Sequence, residues 1–191
     1  APIALPSAKD NTAEYLSVAY SVCPALADKL IAELGAQQAE EFLKASFNTP
    51  KTTLRVNTLK TSVDGILNKI EGAERSPLSP AGLWAAGSVR AMHGFSDGLF
   101  FVQDEASQIC VGALGARPYE LIIDACSCPG SKSFGAAIEM ENKGEILSFD
   151  LHKNKLSLVE SGAKRLGIDI IKTAVRDGRD PSPELIGKAD R

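Results

Sequence analysis

Between residues 99 and 178, short apolar runs alternate with amphipathic stretches, and few folds accommodate that alternation. Leu121-Ile122-Ile123-Asp124 is a continuous apolar run ending in an acid, and Glu145–Asp150 is a second with the same ending. A third run, Ile168–Ala174, leads into Arg176-Asp177-Gly178. Helical patterns lie between them. One covers about Lys132–Met140. The other covers Lys153–Leu166, with Leu156, Val159, Ala163 and Leu166 on one face and Gly167 as its stop. Leu99–Gln103 reads as a further strand, after which Asp104 caps a helix that Gly115 closes. Strand, helix, strand, helix, strand implies parallel pairing through right-handed crossovers. Parallel strands buried on both faces read as apolar runs of this kind. The second half is therefore expected to be an open α/β sheet with its ligand site at the carboxyl ends of the strands.

The first half is patterned differently. Three helices are expected: Thr12–Tyr20 with Thr12 as its cap, Pro24–Leu34, and Ala36–Ser46. Leu26, Leu30, Ile31 and Leu34 would form the inward face of the second, and Ala39, Phe42 and Leu43 that of the third. Asn48-Thr49-Pro50 stops the helical run, and β-branched Thr52–Val56 reads as a strand. Thr61 or Ser62 then caps a helix carrying Val63, Ile66, Leu67 and Ile70. Residues 73–98 are rich in Gly, Pro and Ser, with a short strand about Leu83–Ala85. After a loose lead-in over 1–11, the expected division is a small α+β accessory domain over 1–96 and the α/β sheet over 97–191.

Composition excludes several classes. With 44% apolar and 24% charged residues among 191, the chain is neither disordered nor collagen-like. No apolar run reaches the ~18 residues of a membrane helix, and Ala1–Leu5 lacks the basic and apolar regions of a signal peptide. The first residue is not Met, which suggests a trimmed or excised chain. A formal net charge of −3 excludes a strongly basic nucleic-acid protein but not a local basic patch. The four cysteines, Cys23, Cys110, Cys126 and Cys128, point to a reduced, cytoplasmic protein.

Three strand ends carry chemistry: the loop Asp124–Lys132, Asp150 and Asp177. Gly130 lies just before a helix N-terminus, where backbone N–H groups can approach an anion such as a carboxylate. Asp150 follows Gly130 by 20 residues, a position suited to accepting hydrogen bonds from two ribose hydroxyls. Asp177 could reach an exocyclic amine of adenine. The pattern describes a site for an adenosine with a charged, phosphate-free tail. Gly130-Ser131-Lys132-Ser133 is not a phosphate-binding P-loop, and the three-glycine dinucleotide fingerprint is missing. Cys126 and Cys128 are spaced C-x-C, without the second cluster of a structural zinc site, so no metal is expected.

Asp124-Ala125-Cys126-Ser127-Cys128-Pro129-Gly130-Ser131-Lys132-Ser133 resembles the D-x-C-A-x-P-G-G-K-T loop of the Nop/Sun family of RNA cytosine-5 methyltransferases. Leu54-Arg55-Val56-Asn57-Thr58-Leu59-Lys60 is similar to that family's L-R-V-N-x-L-K strand. Phe101–Ser107 is similar to its V-Q-D-x-x-S segment. Order and spacing match from about residue 14 onward, nearest to the bacterial Sun (Fmu) type acting on small-subunit ribosomal RNA. The resemblance implies a partial Rossmann-like methyltransferase sheet, its first three parallel strands, behind the accessory domain. It implies S-adenosylmethionine as cofactor, held by Cys126, Ser127, Cys128, Pro129, Gly130, Ser131 and Lys132, with Asp150 on the ribose and Asp177 beside the adenine.

Two departures follow. Ser131 stands where the family has a second glycine, so its Cβ is expected to crowd the methionine carboxylate. The family's thiolate nucleophile and its partner cysteine belong to D-x-P-C and T-C-S segments that this chain does not contain. The chain is therefore expected to be a truncated fragment without a catalytic residue. The strand at 121–124 would be left with an unpaired outer edge, favouring self-association. From Glu41 to Asp64 no acid intervenes while Lys44, Lys51, Arg55 and Lys60 do, with Phe47 beside them; Lys51, Arg55 and Lys60 are the candidate RNA contacts. Two rival readings remain at this point: a non-catalytic RNA- or partner-binding module on the same scaffold, and a nucleotide-dependent oxidoreductase.

Overall fold

A computed structural model of the chain describes residues 5–180 and 182–191. Residues 1–4, where the lead-in begins and the signal-peptide reading falls, lie outside the described residues. The chain divides into two units, 1–50 and 51–191. The first contains three helices: α1 (Thr12–Ala19), α2 (Pro24–Leu34) and α3 (Ala36–Ser46). The cap of α1 is Asn11, whose side-chain oxygen accepts from the Glu14 N–H at 3.0 Å, rather than the expected Thr12. Small residues let these helices approach: Leu16, Ala27, Ala39 and Leu43 form the core. Leu26, Leu34 and Phe42, expected inward, are exposed because Ala27 and Ala39 occupy the contact positions.

The second unit holds two sheets. The strands β1 (Thr52–Val56), β2 (Glu74–Arg75), β3 (Gly82–Ala85) and β4 (Phe100–Val102) form a sheet of order β2-β3-β1-β4. All its pairings are antiparallel. A short helix, α4 (Val63–Leu67), is capped by Ser62 and packs Ile66 into this sheet's core with Leu54, Val56, Leu83 and Phe100. Helix α5 (Glu105–Leu114) begins at Asp104, which accepts from the Ala106 N–H, and ends at left-handed Gly115. The second sheet comprises β5 (Leu121–Asp124), β6 (Glu145–Asp150) and β7 (Ile171–Val175) in the order β5-β6-β7, wholly parallel. Helices α6 (Ser131–Glu139) and α7 (Lys153–Leu166) make the crossovers. The four expected inward residues of α7, Leu156, Val159, Ala163 and Leu166, are buried. Strand β7 starts three residues later than expected, because Ile168 N–H is drawn back to the Ala163 carbonyl at 2.9 Å.

The expected division at 96–98 falls inside the second unit, where the chain is cross-tied. The buried Asn57 amide donates to the Gly98 carbonyl at 2.9 Å and to the Leu166 carbonyl at 2.8 Å. Lys60 Nζ donates to the carbonyls of Asp97 and Arg165. Gly98 has φ +69°, and a Cβ there would collide with the Arg165 carbonyl.

The outer edge of β5 is not bare, as expected from the sequence, but partly paired. Ile123 N–H donates to the Arg191 carbonyl at 3.0 Å and Asp190 N–H to the Leu121 carbonyl at 2.9 Å. The Asp190 carboxylate also accepts from Leu121 N–H, and Arg191 pairs with Glu120. Edge amides seek acceptors, and these terminal residues supply them.

Candidate functional site

The loop after β5 is held at both ends. Asp124 Oδ1 accepts from Cys126 N–H at 3.3 Å, and its Oδ2 accepts from the Ser133 hydroxyl at 2.6 Å. Ser133 also meets the Ser148 hydroxyl at 2.9 Å, so Ser in place of the resembled family's Thr keeps the hydroxyl that ties the loop to β6. Ser127 N–H donates to the Phe149 carbonyl at 2.8 Å. Gly130 then turns the chain at φ +108° into α6. A Cβ at Gly130 would run into the Phe134 ring, so the backbone lies directly on that ring.

The first turn of α6 has no side-chain cap. Phe134 N–H is the first to find a carbonyl within the helix, that of Gly130 at 2.8 Å. The preceding amides, Ser131 to Ser133, are the orphan donors every helix start presents, and with the helix dipole they favour an anion. The Ser127 hydroxyl is buried without a partner among the described residues. Both features fit a bound group that brings acceptors to this loop.

Asp150 closes the other side. Its Oδ1 accepts from His152 N–H at 3.0 Å and its Oδ2 from Cys128 N–H at 3.4 Å. The His152 N–H foremost, then Cys128 and Lys155, hold the Asp150 carboxyl below the usual carboxylate range, against a smaller opposing effect of burial. Each oxygen keeps a second lone pair for an incoming hydroxyl. Burial, then the neighbouring Asp150 carboxylate, pushes the Cys128 thiol up, so it is a neutral donor rather than a thiolate. Cys126 is exposed in the same loop, and all four cysteines are free thiols.

Asp177 follows β7 as expected, but its carboxylate is engaged. Arg179 donates to it from Nε at 2.9 Å and from its own backbone N–H at 3.0 Å. These bonds hold the Asp177 carboxyl low. A ligand amine reaching Asp177 has to share it with, or displace, this exposed arginine.

The candidate RNA contacts fare differently. Arg55 is 5% exposed and pairs with Glu139 at 2.9 Å. Its guanidinium serves the interior and is closed to a phosphate. Lys60 spends its ammonium on two backbone carbonyls. Lys51 is exposed, but its Nζ pairs with Glu74 at 3.0 Å and lies 3.9 Å from the centre of the Trp84 ring. Of the three, Arg55 is an interior tie, and Lys51 and Lys60 are surface residues whose ammonium groups have partners within the chain. Sequence reading missed Gln103, which is buried and donates to the Ser131 carbonyl at 2.9 Å. A glutamine directly before a helix-capping acid gave no sign of its partner 28 residues away. Among the described residues no group of three or more His, Cys, Asp or Glu could hold a metal ion. No helix among the described residues is long and apolar enough to cross a membrane.

An open parallel sheet with a glycine turn after its first strand and an acid ending its second is a Rossmann-like arrangement, and comparison with known proteins assigns it to the methyltransferases. The crystal structure of PH0851 superposes with a TM-score of 0.85 at 32% identity, covering 98% of this chain and 44% of that one. A methyltransferase homologue from Pyrococcus horikoshii gives 0.76 at 27% identity, covering 86% of this chain and 56% of that one. A family model described as 16S rRNA methyltransferase RsmB/F matches residues 111–191, and an RsmF/B-like ferredoxin-like domain matches 25–89. The chain belongs to the RsmB/F family, the Nop/Sun group of the sequence resemblance. A relative named probable ribosomal RNA small subunit methyltransferase B, from Bacillus subtilis, is 36% identical over 150 residues. That match covers 76% of this chain and 34% of the relative, so the chain spans about a third of its length. Others are named as cytosine-C(5)-methyltransferases of 28S rRNA and of tRNA.

Proposed function

We propose that the chain is the cofactor-binding part of an S-adenosylmethionine-dependent RNA cytosine-5 methyltransferase, acting on small-subunit ribosomal RNA in the cytoplasm. The observation that carries the reading is the open first turn of α6 beside an Asp150 carboxylate that two loop amides keep ionised. Asp150 would accept the ribose hydroxyls, the α6 amides the methionine carboxylate, and Asp177 an adenine amine once Arg179 gives way. Cys126 to Lys132 form the wall of that cradle. When bound, the cofactor supplies an electrophilic methyl group. This chain's residues orient it. Neither loop cysteine is the thiolate that adds to cytosine in this reading: Cys126 and Cys128 line the cofactor's cradle, and burial, then Asp150, pushes the Cys128 thiol up.

The relatives' names support an RNA substrate, and the bacillar one supports small-subunit ribosomal RNA. Lys51, Arg55 and Lys60 support it less than their sequence pattern suggested: Arg55 is buried, while Lys51 and Lys60 are exposed with ammonium groups that already have partners. The test is calorimetry with S-adenosylmethionine together with transfer of labelled methyl to ribosomal RNA. Saturable one-to-one binding without transfer is the expected result. Absence of binding contradicts the reading.

A further inference from the structure

A buried polar relay connects β1, β4's end and both ends of α6. Glu139, the last residue of α6, accepts from Arg55 Nη2 at 2.9 Å. Arg55 Nη1 donates to Gln103 Oε1 at 3.4 Å, and Gln103 Nε2 donates to the Ser131 carbonyl at 2.9 Å. Arg55 and Gln103 are 5% and 2% exposed. Bonds in such surroundings are strong when made and costly when lost. The relay passes against the helix because residue 135 is glycine: a Cβ there would come within 2.9 Å of Arg55 Nη1. Gln103 is itself fixed, since buried Gln108 donates to its carbonyl at 2.9 Å.

The relay's last acceptor matters. The carbonyl of Ser131 and the N–H of Lys132 share one rigid peptide plane and point in opposite directions. Whatever holds that oxygen also aims that N–H. The Lys132 N–H is one of the orphan donors of α6's first turn, at the mouth of the loop. The helix would hold this plane only through its own ladder, weakest at the terminus. Gln103 adds a second, buried anchor.

We propose that Gln103 is a positioning residue for the cofactor: through the Ser131 carbonyl it aims the Lys132 N–H at the ligand's carboxylate. This rests on the S-adenosylmethionine reading above. Arg55 and Glu139 are the fixed end of the relay, which gives the buried arginine a use other than RNA contact.

Two ligands separate positioning from packing. S-adenosylhomocysteine carries the carboxylate; 5′-methylthioadenosine has the same nucleoside and thioether without it. Gln103→Glu keeps the acceptor facing Arg55 but has no N–H for Ser131. Gln103→Met removes the donor without adding charge. In either variant, affinity for S-adenosylhomocysteine is expected to fall about tenfold, the size of one lost charge-assisted hydrogen bond. Affinity for 5′-methylthioadenosine is expected to stay within about twofold, on the same scale. Equal loss for both ligands, or no loss for either, overturns the proposal. So does failure of both variants to fold, which would assign Gln103 to the core alone. A wild-type chain that binds neither ligand defeats the cofactor reading itself, a result distinguishable from these.

Discussion

Asp150 shows how one side chain acquires its chemistry from its neighbours. Two backbone N–H groups hold its carboxyl low, the His152 N–H foremost. A carboxyl whose native pKa lies below its unfolded value of about 3.9 stabilises the fold above that value, and the contribution vanishes as pH falls through the lowered native value. Asp150→Asn is therefore expected to flatten the acid side of a plot of thermal midpoint against pH. The same variant should weaken S-adenosylmethionine binding at neutral pH by about tenfold to a hundredfold, since hydrogen bonds to charged groups are the stronger kind. Unchanged affinity would remove Asp150 from the site. Ser131 offers a contrasting case. It is the first residue of α6 after the Gly130 turn, so nothing in the backbone there calls for glycine. Its Cβ is the only cost, and Ser131→Gly is expected to tighten the cofactor's dissociation constant by a few fold. A looser constant, read by calorimetry, would make the hydroxyl a donor to the ligand instead.

Helices and strands in this chain were legible where periodicity was strong. Helix α7 and strands β5 and β6 run as their apolar patterns require, because an amphipathic face or a short run rich in Ile and Leu leaves little choice. The two-residue strand β2 was not legible, since Glu74-Arg75 carries no apolar signal and is paired only through β3. The inward face of α2 was legible in part: Leu30 and Ile31 pack against the core as expected, while Leu26 and Leu34 are exposed and Ala27 makes the fully buried contact instead. The acids were legible as strand-end residues: Asp124 and Asp150 close β5 and β6, and Asp177 follows β7. The engagement of Asp177 by Arg179 was not, because local pairing of neighbouring charges leaves no pattern distinct from a solvated loop. Arg55 was misassigned for a related reason: a basic residue on a strand reads alike whether it faces phosphate or a half-buried glutamate 84 residues away. The Phe134 ring explains the packing at two glycines, Gly130, which the sequence marked only for its approach to an anion, and Gly162, which no pattern marked. Gly130 and Gly162 both lie against it, one from the loop and one from α7. Gly→Ala in a helix interior normally stabilises by about 0.5–1 kcal/mol. Gly162→Ala is expected to destabilise instead, by about 1–3 kcal/mol, because the ring, packed edge-on against Phe101, is poorly placed to yield. Denaturant midpoints test this, and a stabilised Gly162→Ala would mean that the ring moves freely.

The division of the chain as a whole depends on ties that no single motif announces. Asn57, Lys60 and Arg165 bind residues 95–100 from both sides, which is why the second unit runs unbroken from 51 to 191. The same unit leaves a groove of about 230 Å³ beside β5, apolar along Leu114, Ile122, Ile123 and Ala136 with Cys110, and reaching Asp124 and Lys132 of the loop at one end. Asp190 and Arg191 satisfy part of the adjoining edge but not this apolar lining. Reversible self-association through it is the expected behaviour, seen as a concentration-dependent sedimentation coefficient and abolished by Cys110→Lys, a change at an exposed position. A single monomeric species at every concentration would contradict it.

The binding expectations depend on what the loop and Asp150 hold together. The most direct measurement is calorimetric titration of the chain with S-adenosylmethionine and, in parallel, with NAD. The structure predicts one saturable site for S-adenosylmethionine, lost on Asp150→Asn, and weaker or no binding of NAD, whose pyrophosphate lacks the second and third glycines it would need. Tighter binding of NAD, or no binding of S-adenosylmethionine, would contradict the account.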